Sequence, residues 1–337
     1  LPLAIKDDKG QFVAMQHADD VVDQFSYFIH PRSKVPDDFV PRGAQDFYTD
    51  FGYLQHPNKK DSFGQPIMST QLAPYQIEAM EYKAGNLLIV KSNKVGMTTA
   101  LLLDDIQSRL LPENAGYDLL IGAQTDVHAY EHIKDIKRMM RLSDKYRKYL
   151  VEKRSNAHTI TIENPYYPSA ETRIIALGSS ERATYSWKKV NKIHLSDVSL
   201  MHLEGQKNYF GGLYSRLANT DGQIKIETIP NGQAGEVYRI WLAYQQQKIG
   251  AQVLVTPDQQ ASFADDPNKV GTTFHVMEIM AEQARNAGLI TQKFLDQQRK
   301  ELGELQYQKL YGCKFIGTGN QWYTPDMFHT GNYGAVW

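Results

Sequence analysis

Between Leu87 and Leu101 the chain changes character twice. The apolar run Leu87-Leu88-Ile89-Val90 ends at Lys91, the segment Ser92-Asn93-Lys94-Val95-Gly96-Met97 follows, and Thr98-Thr99-Ala100-Leu101 opens a helical pattern. A buried strand that passes through one tight segment into a helix belongs most naturally in a parallel sheet covered by helices. It also has a chemical reading. Backbone N–H groups of such a loop, and the helix N-terminus, face a bound anion. A threonine hydroxyl in the first helical turn can ligate Mg2+. The spacing departs from the standard phosphate loop, which has two glycines and a lysine directly before the Ser/Thr. Here Met97 holds the lysine's place and Gly96 is the only glycine of the loop. Taken alone, the run also fits an ordinary strand–turn–helix connection.

The rest of the chain supports the α/β frame. From Ala73 onward, short apolar runs alternate with longer amphipathic segments. Strands are expected at Asn86–Lys91, Tyr117–Gly122, Thr159–Glu163, Arg173–Leu177, Val190–Leu195, Gln223–Thr228 and Ala251–Val255. Helices are expected at Thr98–Leu111, Val127–Val151, Gly211–Ala218, Gly235–Gln247, Val276–Ala287 and Thr291–Leu302. That alternation implies a mostly parallel central sheet flanked by helices. Residues 1–70 read as an N-terminal appendage or lid region, broken by Pro31, Pro36 and Pro41, with a helix over Ala18–His30. The single Cys313 excludes an intrachain disulfide and argues against a zinc cage. Lys+Arg 37 against Asp+Glu 38 excludes a uniformly basic coat. A local basic segment remains, Lys134–Arg154, with nine Lys+Arg and three Asp+Glu. It reads either as a solvated helix face or as a phosphate-tracking surface. No apolar run approaches a membrane span.

Three further signals stand in order around the loop. Gln76, in Pro74-Tyr75-Gln76, precedes the first strand, and its amide can both accept from and donate to an adenine edge. Lys189-Val190-Asn191-Lys192-Ile193-His194-Leu195-Ser196-Asp197 is a strand ending in a carboxylate, as a Walker B strand does. Ile226-Glu227-Thr228-Ile229-Pro230-Asn231-Gly232 is a strand ending in a polar turn.

With these residues in place, the chain resembles the ATPase domain of the large terminase subunit, the viral DNA-packaging motor. Lys91-Ser92-x-x-Val95-Gly96-x-Thr98 is similar to the deviant Walker A of the lambda-like members, whose lysine lies at the start of the loop. The resemblance implies a P-loop NTPase fold of the ASCE/RecA-like type over residues 71–320. It assigns ATP binding to Gln76, Lys91, Ser92, Lys94, Val95, Gly96, Met97, Thr98 and Thr99. It gives Mg2+ to Thr98 and Asp197, and coupling to Thr228 and Asn231. Lys94 stands where the family usually has arginine. The tail Gln306–Phe315 is similar to the family's closing segment, with Lys309 in place of a glutamate. The family's nuclease acids have no counterpart after Phe315. Residues 321–337 therefore read as a linker toward a domain not contained here, and no nuclease activity is expected.

The resemblance also implies ATP and Mg2+ as cofactors. It implies double-stranded viral DNA, a portal protein and a small terminase subunit as partners, and a homo-oligomeric ring when active. No membrane association is implied, and the expected location is the host cytoplasm, without secretion. The catalytic acids are the open point. The Walker B text normally ends Asp-Glu, and here it reads Asp197-Val198. Either Asp197 organises the metal and the base is missing, or the register slips, with Ser196 at the metal place and Asp197 as base. Glu227, at the end of the next strand, is the candidate substitute base. It serves only if it faces the phosphate, which alternation forbids if Thr228 does. Arg182 is the candidate arginine for the transition state. The alternative to a motor is a degenerate P-loop scaffold that binds DNA or protein with little or no turnover.

Overall fold

Strand β1 (Asn86–Lys91) is buried on both faces: Leu87 and Ile89 enter one hydrophobic core, Leu88 and Val90 the other. This period of two is the signature of a central strand. The computed structural model describes residues 43–51, 71–177, 189–249 and 272–317, together with four short strands, Ala4–Lys6, Phe12–Ala14, Gln55–Lys60 and Pro66–Met68. With β1, six more strands form one seven-stranded sheet: β2 (Asp118–Ala123), β3 (Thr159–Glu163), β4 (Glu171–Leu177), β5 (Val190–Ser196), β6 (Gln223–Thr228) and β7 (Phe274–Ile279). The order is β7-β1-β6-β5-β2-β4-β3, parallel throughout except for β3 at one edge. The expected α/β fold with a mostly parallel sheet is the observed one.

The helices are α1 (Ala44–Thr49), α2 (Pro74–Glu81), α3 (Met97–Leu110), α4 (Asp126–Leu142), α5 (Leu203–Leu217), α6 (Gly235–Ile249), α7 (Ala281–Asn286) and α8 (Gln292–Tyr311). One core lies between the sheet and α2, α3, α4 and α8; the other lies under α5 and α6. Helix α3 begins after Gly96, whose left-handed backbone (φ 69°) turns the chain, and it stops before Pro112. Thr125 caps α4 by accepting from the His128 N–H.

Several expectations shift. The helix expected over Val127–Val151 ends at Leu142 and gives way to short turns. Tyr146, Tyr149 and Leu150 continue the apolar spacing, but they bury themselves from those turns. The Gly211–Ala218 helix begins at Leu203. The first residues of the Val276–Ala287 helix are instead edge strand β7, paired with β1 from Phe274↔Asn86 to Ile279↔Lys91. Val276, Met277 and Ile279 fit a helical stripe as well as a strand, and the open edge of β1 decides between them. The Thr291–Leu302 helix continues to Tyr311 through a kink at Gly303 (φ 73°, ψ 163°). The Ala18–His30 helix, the Ala251–Val255 strand, Arg182 and residues 321–337 lie outside the described residues. Among the described residues, no helix is long and apolar enough to cross a membrane.

Candidate nucleotide site

The loop between β1 and α3 is gripped by its neighbours. The Ser92 N–H donates to Ile279 O on β7 and the Asn93 N–H to Leu310 O on α8, both at 2.8 Å. From α2, the Tyr75 hydroxyl donates to Val95 O at 2.8 Å and Gln76 Nε2 to Gly96 O at 2.9 Å. By contrast, the N–H groups of Lys94 through Thr99 carry no hydrogen bond among the described residues. Lys94 and Gly96 are both left-handed (φ 62° and 69°). A β-carbon at Gly96 would come within 2.8 Å of Gln76 Nε2, so the tight turn requires glycine. A row of open donors at the N-terminus of a helix suits an anion.

Two carboxylates and one ammonium close the cradle from below. Lys91 Nζ lies 2.8 Å from Glu227 Oε2 and 3.3 Å from Asp197 Oδ1. Both are charge contacts without hydrogen-bond geometry, which leaves those oxygens orphaned. Burial works to lower the Lys91 pKa, but Glu227 and Asp197 more than offset it, so the pKa is raised and the ammonium stays charged. Glu227 Oε1 accepts from Thr98 Oγ1 at 2.9 Å and from Ser196 Oγ at 2.5 Å. Alternation on β6 therefore turns Glu227 toward α3 and Thr228 to the other face, where its hydroxyl donates to Ser199 Oγ at 2.7 Å. Asp197 lies just past β5 in a left-handed conformation (φ 52°) and is one-third exposed. The residue after it, Val198, is fully buried.

The other expected residues sort as follows. Gln76 already uses both ends of its amide: Oε1 accepts from the Ala73 N–H at 2.8 Å, and Nε2 holds Gly96 O. Here it fastens α2 to the loop. Lys94 is exposed at the lip, Ser92 and Met97 are buried beneath the loop, and Thr99 follows Thr98 at the start of α3. Asn231 donates to Ser199 O at 3.0 Å and accepts from Lys309 Nζ at 2.9 Å, so the polar turn after β6 is tied to α8. Ser199 and Lys309 complete this tie. Lys309 stands out in the sequence only as a replaced glutamate, and Ser199 carries no signal. Among the described residues, no cluster of three or more His, Cys, Asp or Glu side chains forms a metal cage. Hydroxyl and carboxylate oxygens at Thr98, Glu227 and Asp197 are hard donors of the kind Mg2+ takes while keeping waters, so the donor set fits.

A second charged cluster lies beneath the first. Asp104 of α3 receives Lys83 at 2.9 Å, Lys192 at 2.6 Å and Lys225 at 2.9 Å. Asp105 meets Lys192 at 2.9 Å and His194 Nδ1 at 2.6 Å. Although burial alone would raise it, the three lysines hold the Asp104 carboxyl well below the usual carboxylate range. Burial lowers Lys225 to about 7. The sequence signal for this layer is present: Lys192 and His194, then Lys225 and Glu227, are polar at alternate positions of otherwise apolar strands.

The basic segment after Lys134 is largely paired on its own surface. Lys134, Arg138, Arg141, Arg147 and Arg154 meet Glu131, Asp135, Glu152, Asp144 and Glu171.

The fold has known counterparts. The HK97 bacteriophage large terminase superposes with a TM-score of 0.55 at 14% identity, covering 80% of this chain and 55% of that one. The Thermus phage P74-26 large terminase ATPase domain gives 0.53 at 12% identity, over 78% of this chain and 100% of that domain. The large terminase of a thermophilic bacteriophage, solved in complex with ADP, gives 0.50 at 11% identity, over 72% and 53%. This chain is similar in structure to large terminase ATPase domains. At these identities the likeness is one of fold, and the chain spans about half the length of the two full-length terminases. No protein-family model matches the sequence, and no curated protein matches it.

Proposed function

We propose that this chain is an ATPase of the terminase type, which binds Mg-ATP in the Lys91–Thr99 cradle and couples its hydrolysis to movement of double-stranded DNA. The observation that carries this reading is the row of open N–H groups above a charged Lys91, on a sheet with the terminase ATPase fold. Lys91 and the loop N–H groups would hold the β- and γ-phosphates, and Lys94 at the lip adds charge. Mg2+, when bound, would neutralise phosphate charge as it develops. Thr98 and one of the neighbouring acids, Asp197 or Glu227, would hold it. The Thr228–Ser199–Asn231–Lys309 chain would pass a change at the phosphate to α8. Viral DNA, a portal protein, a small terminase subunit and a ring of copies, with Arg182 as a finger, complete the proposal. If DNA tracks the basic segment, phosphates must exchange with its surface pairs, which are individually weak.

One observation favours a second reading, a P-loop scaffold without turnover: the residue after Asp197 is a buried valine where an acid is expected. An ATPase assay of wild type and Lys91→Ala separates the two. The motor reading expects turnover that falls by on the order of 10²-fold in the variant. Equal rates in both proteins would remove Lys91 from the assignment, and nucleotide binding without turnover would leave the scaffold.

A further inference from the structure

The two acids of the cradle occupy unlike positions. Glu227 is fully buried: Oε1 accepts from the Thr98 and Ser196 hydroxyls, and Oε2 has only the charge contact with Lys91. Asp197 is one-third exposed, sits beyond the strand end and has no hydrogen bond to Thr98. A threonine hydroxyl that gives a lone pair to a cation must send its proton to another acceptor, and Thr98 sends it to Glu227. Ser196 is the last residue of β5 to face α3, and it brings a hydroxyl without charge. Its direct partner across the ladder is Glu227, one strand over.

We propose that the cation-side carboxylate of this site has moved from β5 to β6: Glu227 holds the metal side, and Asp197 orients the attacking water. This rests on the reading of the cradle as an Mg-nucleotide site and reverses the roles that the strand-end text suggests. A water-orienting acid needs a lone pair open to solvent. Of the two acids only Asp197 reaches solvent, because the Glu227 side chain is fully buried. In the step itself the water oxygen bonds to the γ-phosphorus as the bond to the β,γ-bridging oxygen breaks. ADP leaves with that electron pair, and the water's proton passes to Asp197 and then to phosphate or solvent.

The test measures equilibrium binding of a fluorescent ADP with and without Mg2+, and Mn2+ bound per nucleotide by electron paramagnetic resonance. The full chain is used as wild type, Glu227→Gln, Asp197→Asn and Glu227→Gln/Ser196→Asp. Glu227→Gln is expected to weaken metal binding about 10- to 100-fold. The added Ser196→Asp should restore it by returning an acid to β5. Asp197→Asn should keep metal-dependent binding and lower turnover on the order of 10²-fold. Loss of metal dependence in Asp197→Asn, with Glu227→Gln unchanged, overturns the proposal. If Glu227→Gln does not fold, the double variant decides: folded without metal dependence, it also overturns it. A wild type that binds no nucleotide at all sinks the parent reading instead, so the two failures are distinct.

Discussion

Strands β5 and β6 turn Ser196 and Glu227 toward the first turn of α3 and, one row lower, turn Lys192, His194 and Lys225 toward its middle. Both rows are buried, both join acids to lysines, and both distort the pKa of their groups. In the lower row the lysines are spent on protein partners, although Asp105 Oδ1 and His194 Nε2 stay buried without a hydrogen bond. Lys225 Nζ, for example, reaches Asp104 Oδ2 and the carbonyls of Ala79 and Met80. In the upper row the loop N–H groups and oxygens of both acids remain without hydrogen bonds. Charge pairing, shifted pKa values and orphaned side-chain atoms therefore do not separate a site from a strut in this molecule; the row of open loop N–H groups and the partial exposure of Asp197 do.

If the lower row is structural, breaking it should cost fold and not ligand. Asp104→Ala leaves three lysines around an empty place, two of them buried. The expected loss is about 3–5 kcal/mol by urea unfolding. A variant that melts like wild type would mean that water already compensates the row. A melt showing lost metal or nucleotide binding without lost stability would make the lower row part of the site.

The upper row should respond to ligand and the lower row should not. Mg-ADP at 100 times its Kd should stabilise the wild type by about 2.7 kcal/mol. Asp105→Asn, in the lower row, should keep that increment on a lower baseline. Thr98→Val should lose much of it, since the hydroxyl goes while the volume stays. Thermal or urea melts with and without Mg-ADP read this directly. Equal increments in Thr98→Val and wild type would remove Thr98 from the cradle.

Much of the frame is legible in the amino-acid sequence. β1, β3 and β6 lie at the residues expected, because the continuous apolar run of β1 and the isoleucine–polar alternation of β3 and β6 leave little choice of register. The loop and its lysine are legible for the same reason. The side to which Glu227 points is not. Alternation says that Glu227 and Thr228 face opposite ways, but only the packing of α3 on one face of β6 says which way each faces. The lower row is visible as alternating charges and yet unreadable, because its partners Asp104 and Asp105 lie far away in sequence. β7 escapes a local reading because an edge strand beside β1 is selected by pairing, which no local period records.

The smallest expected effect concerns Lys225, the one lysine of the lower row whose pKa falls. Burial brings it to about 7, against about 10.4 in an unfolded chain. Between those values the unfolded state binds a proton that the folded state does not, so the Lys225 contribution to stability should rise with pH from about 7 upward. Two other shifted groups act toward the top of the interval from pH 7 to 9. Cys313, raised by burial to about 12, keeps its proton in the fold while the unfolded thiol loses it, which lowers stability as pH rises. Lys137 is lowered by burial. His132, lowered by burial to about 4, acts below that interval, and Arg109, lowered by burial to about 10, acts above it. Lys192 and Lys91 are raised despite burial, because acids face them, and their contributions stay constant there. The Lys225 contribution should therefore grow across this interval, by less than about 1.4 kcal/mol per pH unit, the ceiling for one proton. Lys225→Met keeps the length of the side chain and removes the titrating group, so its stability should rise less with pH, or fall more, than that of the wild type over the same interval, since both proteins share Cys313 and Lys137. Urea titrations at pH 7, 8 and 9 compare the two slopes. Equal slopes in the two proteins would mean that Asp104 and the two carbonyls hold Lys225 fully charged. The lower row would then be a complete ion network, and the contrast with the open upper row would sharpen.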